Sequence, residues 1–180
     1  MNAGSTAGGA GGGAVAFREI RRFGDPVLRT PAEPVTVFDD RLRSVVADLL
    51  DTVDAPGHAG LAAPQIGVGI RAFSYNVDGE IGYVVNPEVV ELSEEQQEGP
   101  EGCLSVPELW FDTPRARHAV VRGVDADNEP VTVSGSGLMA RCLQHETDHL
   151  DGMIYVQRLA PDRRRDALRR IRETDWFWQR

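Results

Sequence analysis

The chain has 180 residues, enough for one domain with a sizeable core and few for two. Its 41% hydrophobic and 26% charged residues are ordinary for a globular protein. A net charge of −9 argues against a general polyanion binder, so no direct DNA binding is expected, and no stretch approaches the roughly 20 apolar residues of a membrane span.

Residues 1–14 are mostly Gly and Ala, without the basic opening or apolar run of a secretory signal. Gly loses the most entropy on ordering and little here can be buried, so a disordered leader is expected, followed by one domain over 15–180. Asp25-Pro26 opens a short turn or helix, and Pro31 and Pro34 keep the next segment extended. Asp39-Asp40 start a helix in which Leu42, Val45, Val46, Leu49, Leu50 and Val53 share one face, and Pro56-Gly57 ends it. Strands are predicted over 71–75, 82–86, 119–125 and 130–133, with 99–106 a loop running into an extended segment. A second helix is predicted over about 137–150, stopped by Gly152, and the stretch after Pro161 has helical composition with many arginines. Strands and helices without a βαβ rhythm imply an α+β fold, with antiparallel strands packed around the 137–150 helix. Two cysteines make no disulfide scaffold, and a reducing cytoplasm is the expected compartment.

The second helix carries His145-Glu146-Thr147-Asp148-His149. Histidines four apart lie on one helix face, so both can offer ring nitrogens to one ion. Glu146 sits about 100° round the helix from His145 and can reach a water beside that ion without ligating it. The division suits hydrolysis: two neutral donors hold a Lewis acid, and a free carboxylate takes the water's proton.

Two histidines need a third ligand, and several positions compete. Tyr155 stands where one protease class places a third histidine. Glu173 could complete a His₂Glu site, although it lies in a very basic stretch. Cys103 is the better candidate, because a thiolate is a strong donor and Gly102 before it allows close approach. Cys142, one turn before His145, reads as a small buried hydrophobe.

Three segments, Gly60-Leu61-Ala62-Ala63-Pro64-Gln65, Glu101-Gly102-Cys103-Leu104-Ser105 and Gln144-His145-Glu146-Thr147-Asp148-His149, together resemble the peptide deformylases, over about Phe17 to Leu159. The resemblance implies an α+β fold and removal of the N-formyl group from new polypeptides beginning with formyl-methionine. It implies one divalent metal ion held by Cys103, His145 and His149, Fe²⁺ in the cell with Zn²⁺, Ni²⁺ or Co²⁺ able to replace it. Glu146 would be general base and acid, and Gln65 with the Leu104 N–H would receive the oxyanion. Gly60 and Leu61 would crowd the formyl carbon, while Leu61, Leu138 and Cys142 would wall the methionine side chain. Formyl-methionyl nascent peptides are the expected partners, with docking on the ribosome near the peptide exit through the basic stretch Arg163 to Arg172 as a further expectation.

The chain departs from the family pattern at three places. His58-Ala59-Gly60 stands for Gly-x-Gly, Trp110 stands where some members have Arg, and Arg141 replaces an apolar residue of the methionine pocket. The Arg141 stem is expected to pack there with its guanidinium reaching water. Glu101 is a candidate charge partner for Arg115, and Asp148 a candidate carboxylate orienting a neighbouring group.

Overall fold

In the computed structural model, residues 17–179 are described; the expected leader at 1–14 lies outside them. Asp39 caps the first helix, α1 (Asp40–Val53), by accepting from the Leu42 N–H at 3.0 Å. There follow β1 (Gly60–Ala62), β2 (Ala72–Val77), β3 (Glu80–Leu92), β4 (Gln96–Gln97), β5 (Pro100–Cys103), β6 (Val106–Asp112), β7 (Arg115–Ala116), β8 (His118–Val124) and β9 (Pro130–Ser136). The helices α2 (Leu138–Leu150), α3 (Pro161–Arg172) and α4 (Asp175–Trp178) complete the chain. Among the described residues, no helix is long and apolar enough to cross a membrane.

Five strands pair antiparallel in the order β1-β2-β3-β8-β9, with α1 against one face and α2 against the other. Side chains alternate across a strand, so β2 sends Phe73, Tyr75 and Val77 towards α2 and Ala72 towards α1. The α2 side buries Val84, Val121, Val133 and Leu143; the α1 side buries Leu42, Leu49, Val53 and Val85. A third cluster, with Leu28, Val106, Tyr155 and Ile171, joins the β5–β6 hairpin to α3 and α4.

The expected α+β arrangement is present, but the strands run further than the sequence predicts. β3 continues past Pro87, which has no N–H to give a ladder, because its pairing with β8 shifts register between Val85 and Glu88. Asn86 takes positive φ there, and its side chain bonds both the N–H and the carbonyl of Val35. The segment 99–106 is not mainly loop: β5 pairs with β6 around a turn at Leu104 and Ser105. Pro107, Glu108 and Asp112 weaken β6 as a strand signal, and it forms because Leu109 and Phe111 pack on the third cluster.

Candidate active site

Three elements converge on the active centre: β1 with the 3-10 turn after it (Ala63–Ile66), the hairpin β5–β6, and α2. They enclose a cavity of about 450 Å³ lined by Gly60, Gln65, Cys103, Leu104, Cys142, His145 and Glu146 among others. Leu138 and Arg141 also line it.

On α2 the i, i+4 spacing puts the rings of His145 and His149 4.9 Å apart. Their Nε2 atoms are 3.2 Å apart, and the Cys103 Sγ is 3.3 Å from that of His149. His145 Nδ1 donates to Glu101 Oε1 at 2.6 Å, which leaves its Nε2 with a lone pair facing the other two donors. Three electron-pair donors this close repel unless a cation or shared proton lies between them. Ligands at 2.0–2.3 Å from a tetrahedral ion stand roughly 3.3–3.6 Å apart, so the cluster fits one small divalent metal. Among the described residues, Cys103, His145 and His149 form the one His, Cys, Asp or Glu group that brings three donor atoms within 4.8 Å.

The competing ligands are placed elsewhere. Tyr155 stacks on His145 with ring centroids 5.8 Å apart and donates to the Leu109 carbonyl. Glu173 is exposed and paired with Arg169. His58, the departure from Gly-x-Gly, lines the cavity, and its Nδ1 bonds the Thr52 carbonyl at the end of α1.

Glu146 is buried beside the donors, and its Oε2 has no hydrogen-bond partner among the described residues. Its seat exists because residue 60 is glycine: a Cβ there would stand 2.4 Å from Glu146 Oε1 and 2.8 Å from Cys142 Sγ. Burial pushes the Glu146 carboxyl up to about 7, with Glu101 adding to the rise against the pull of His145. Burial lowers His149; it pulls on His145 as well, but contacts with Cys103 and Glu101 outweigh it there and the ring rises. Gln65 is held by its Oε1, which accepts from the Ala62 N–H at 2.9 Å. Its Nε2 therefore points across the cavity, 3.2 Å from Ser105 Oγ and 3.7 Å from Cys103 Sγ.

Behind the donors runs a chain of charges, buried except for the exposed Arg158 at its end. Arg115 spans Glu101 (2.6 and 3.0 Å) and Asp148 (2.7 Å), and Arg158 closes on Asp148 (2.5 and 3.1 Å). Burial would raise the Glu101 carboxyl, but hydrogen bonds from His145 and Arg115 hold it well below the usual carboxylate range. The Glu101–Arg115 pair expected from the sequence forms, and Asp148 orients arginines instead of facing solvent. What sequence reasoning missed is that Glu101 also grips His145. The available signal was period two: Glu101 and Cys103 share one face of β5.

Two expectations are corrected. Arg141 does not send its guanidinium to water; it is 8% exposed and donates to Glu101 Oε2 at 2.6 Å and to the Thr113 carbonyl at 2.9 Å. The buried Glu101 carboxylate draws it inward, since two guanidiniums can share one carboxylate with four acceptor sites. Leu61 does not wall the cavity either. In β1, Gly60 faces Glu146, and the next side chain must point the other way, so Leu61 is fully buried against α1.

Comparisons with known proteins agree with this geometry. A family model described as polypeptide deformylase matches residues 17–165. A peptide deformylase of Acidothermus cellulolyticus is 58% identical over 166 residues, 92% of this chain and 91% of that one. The crystal structure of a peptide deformylase from Legionella pneumophila superposes with a TM-score of 0.82 at 38% identity, covering 92% of this chain and 99% of that one. The Thermus thermophilus peptide deformylase gives 0.80 at 38% identity, covering 86% and 93%. With its three-donor cluster, its buried carboxylate and this similarity over nearly the whole length, the chain belongs to the polypeptide deformylase family, metal-dependent hydrolases that remove the N-formyl group from nascent polypeptides.

Proposed function

We propose that Cys103, His145 and His149 hold one divalent metal ion, Fe²⁺ in the cell with Zn²⁺, Ni²⁺ or Co²⁺ able to replace it, and that Glu146 carries the proton during hydrolysis of formyl-methionyl chains. The single observation behind this reading is the buried Glu146 carboxylate, adjacent to the donor cluster and with Oε2 free of any partner among the described residues. Bound there, the ion supplies a Lewis acid that acidifies water and polarises the formyl carbonyl.

Glu146 accepts a proton from the attacking water, whose oxygen adds to the formyl carbon. Gln65 Nε2 and the Leu104 N–H donate to the formyl oxygen as negative charge builds there; Gln65 suits the task because Ala62 already fixes which end of its amide faces the cavity. The C–N bond then breaks, Glu146 returns its proton to the leaving amine, and formate and a free N-terminus result. Gly60 leaves room for Glu146, and crowding beside it is the proposed reason for taking a formyl carbon over one bearing a methyl. Leu138 and Cys142, on the cavity side of α2, are the proposed walls for the methionine side chain. Glu101, pinned by Arg115 and Arg141, keeps His145 in the tautomer that presents Nε2.

The proposed setting is the cytoplasm. Ribosome docking through α3 is supported only by exposed arginines such as Arg164 and Arg172, since Arg163, Arg165 and Arg169 are engaged by nearby acids. The test of the central reading is formate release from a formyl-Met peptide by the metal-loaded protein and its Glu146→Gln variant. Loss in the variant with metal content unchanged is expected; undiminished release would overturn the assignment.

A further inference from the structure

Two arginines converge on the Glu101 carboxylate behind the donor cluster, and one of them suffices to hold it. Arg115 grips both oxygens of Glu101, at 2.6 and 3.0 Å, and Glu101 Oε1 also receives the His145 Nδ1–H at 2.6 Å. These bonds fix the carboxylate and, through it, the His145 ring. Arg141 nevertheless folds in from α2 and donates from Nη1 to Glu101 Oε2 at 2.6 Å and to the Thr113 carbonyl at 2.9 Å. It is buried, as His145 is. Hiding a second guanidinium costs desolvation, and an apolar residue at that point of the cavity wall would avoid it. What Arg141 adds is charge. Three guanidiniums, of Arg115, Arg141 and Arg158, meet two carboxylates, of Glu101 and Asp148, so the chain behind the donors is positive on balance.

That surplus reaches His145 by two routes. Bonded to Oε2, Arg141 draws electron density from the carboxylate, so Oε1 accepts the Nδ1–H less strongly and the ring gives its electron pair less readily at Nε2. In this buried setting its charge also repels a further cation and attracts an anion. We propose that Arg141 is a positioning residue that sets the charge of the metal centre. Acting through Glu101 and His145, it loosens the hold on the divalent ion and favours the negative charge that develops on the formyl oxygen of the substrate. This inference rests on the reading of Cys103, His145 and His149 as metal ligands. A brace and a charge-setting group predict opposite signs. Loss of a brace disorders His145 and weakens metal binding, whereas loss of the surplus positive charge tightens it. Because one nitrogen makes both bonds of Arg141, the compact ammonium of lysine can replace it, while leucine occupies the space without charge.

The experiment uses the full chain loaded with Co²⁺, whose thiolate-to-cobalt absorption reports the ion on Cys103, and titrates it with a competing chelator at fixed pH. Arg141→Leu is expected to hold cobalt about tenfold more tightly than the wild type, and its kcat for formate release from a formyl-Met peptide to fall about threefold. Arg141→Lys should return both quantities towards the wild-type values. Arg141→Gln, neutral but still a hydrogen-bond donor, should behave as the leucine variant, and it decides the matter if that variant does not fold. Cobalt held equally or less tightly by the neutral variants, an unchanged kcat in them, or the same tightening in Arg141→Lys would overturn the inference and leave the metal site standing. A wild type without the thiolate-to-cobalt absorption would overturn the metal reading on which it rests.

Discussion

Helices α1 and α2 flank the same sheet, have nearly the same length (14 and 13 residues), and bury opposite kinds of side chain. α1 hides Leu42, Val46, Leu49 and Val53 and leaves its polar face in water. α2 is buried almost all round, and its hidden residues include Arg141, His145, Glu146, Thr147, Asp148 and His149. Burial of apolar side chains needs no partner, so α1 is stabilised by packing alone. Each charge on α2 must instead meet a counter-charge, a hydrogen bond or an ion, and most do, through Arg115, Glu101 and Arg158. Of the buried side-chain atoms left without a partner among the described residues, Glu146 Oε2 lies beside the donor cluster, whereas His149 Nδ1 is on the ring edge turned away from it, since His149 Nε2 faces Cys103 and His145. A buried carboxylate oxygen left unpaired beside three donor atoms, on a helix whose other buried charges are paired, marks that point as the place of chemistry.

The contrast is broken most sharply by Glu146→Gln on α2. Formate release should fall by about 10²–10⁴-fold, the usual contribution of a positioned acid–base group, in a steady-state assay with metal content checked in parallel. Arg115→Ala should come next, lowering stability by roughly 3–5 kcal/mol in urea titration because it removes the buried cation between Glu101 and Asp148 and leaves these two carboxylates only their bonds to Arg141, His145 and Arg158. Leu49→Ala on α1 should cost about 2–5 kcal/mol by opening a cavity, while turnover per folded, metal-loaded molecule is retained; lost turnover would erase the distinction between the helices. The smallest effect, about 1 kcal/mol, is expected for Asp39→Ala, which removes the cap of α1.

A pH titration sharpens the same comparison in the metal-free protein. The Glu146 carboxyl, raised to about 7 by burial, holds a proton in the folded state that the unfolded chain has released. Its contribution to stability is therefore greatest at low pH and declines as pH rises from the ordinary carboxylate range through 7. Wild type minus Glu146→Gln should show this downward slope in denaturant titrations at several pH values, and a flat or rising difference would contradict the buried setting of Glu146.

Much of this is legible along the chain. The periodicity of Leu42 to Val53 and the His145 to His149 spacing are local regularities, and both helices form where they fall. The β5–β6 hairpin is not, since Pro107, Glu108 and Asp112 mask a strand that depends on Leu109 and Phe111 finding the third cluster. Leu61 lies on the opposite side from the expected one because a motif names residues without saying which face of β1 each occupies. Arg141 departs from the general habit of arginine, which the carboxylate of a residue 40 positions earlier overrides.

The sequence by itself determined the helix that carries His145-Glu146-Thr147-Asp148-His149, with both histidines on one face, and the α+β class, and it offered Cys103 as the better of several candidate third donors, because helical spacing and ligand type are properties of short segments. Only the tertiary structure decided how those groups are held: Glu101 gripping His145, Arg115 joining it to Asp148, Gly60 seating Glu146, and Trp110 lying on Gly102. Such pairings arise between segments far apart in the chain, where shape and the need to compensate buried charge, and not local propensity, select the partner.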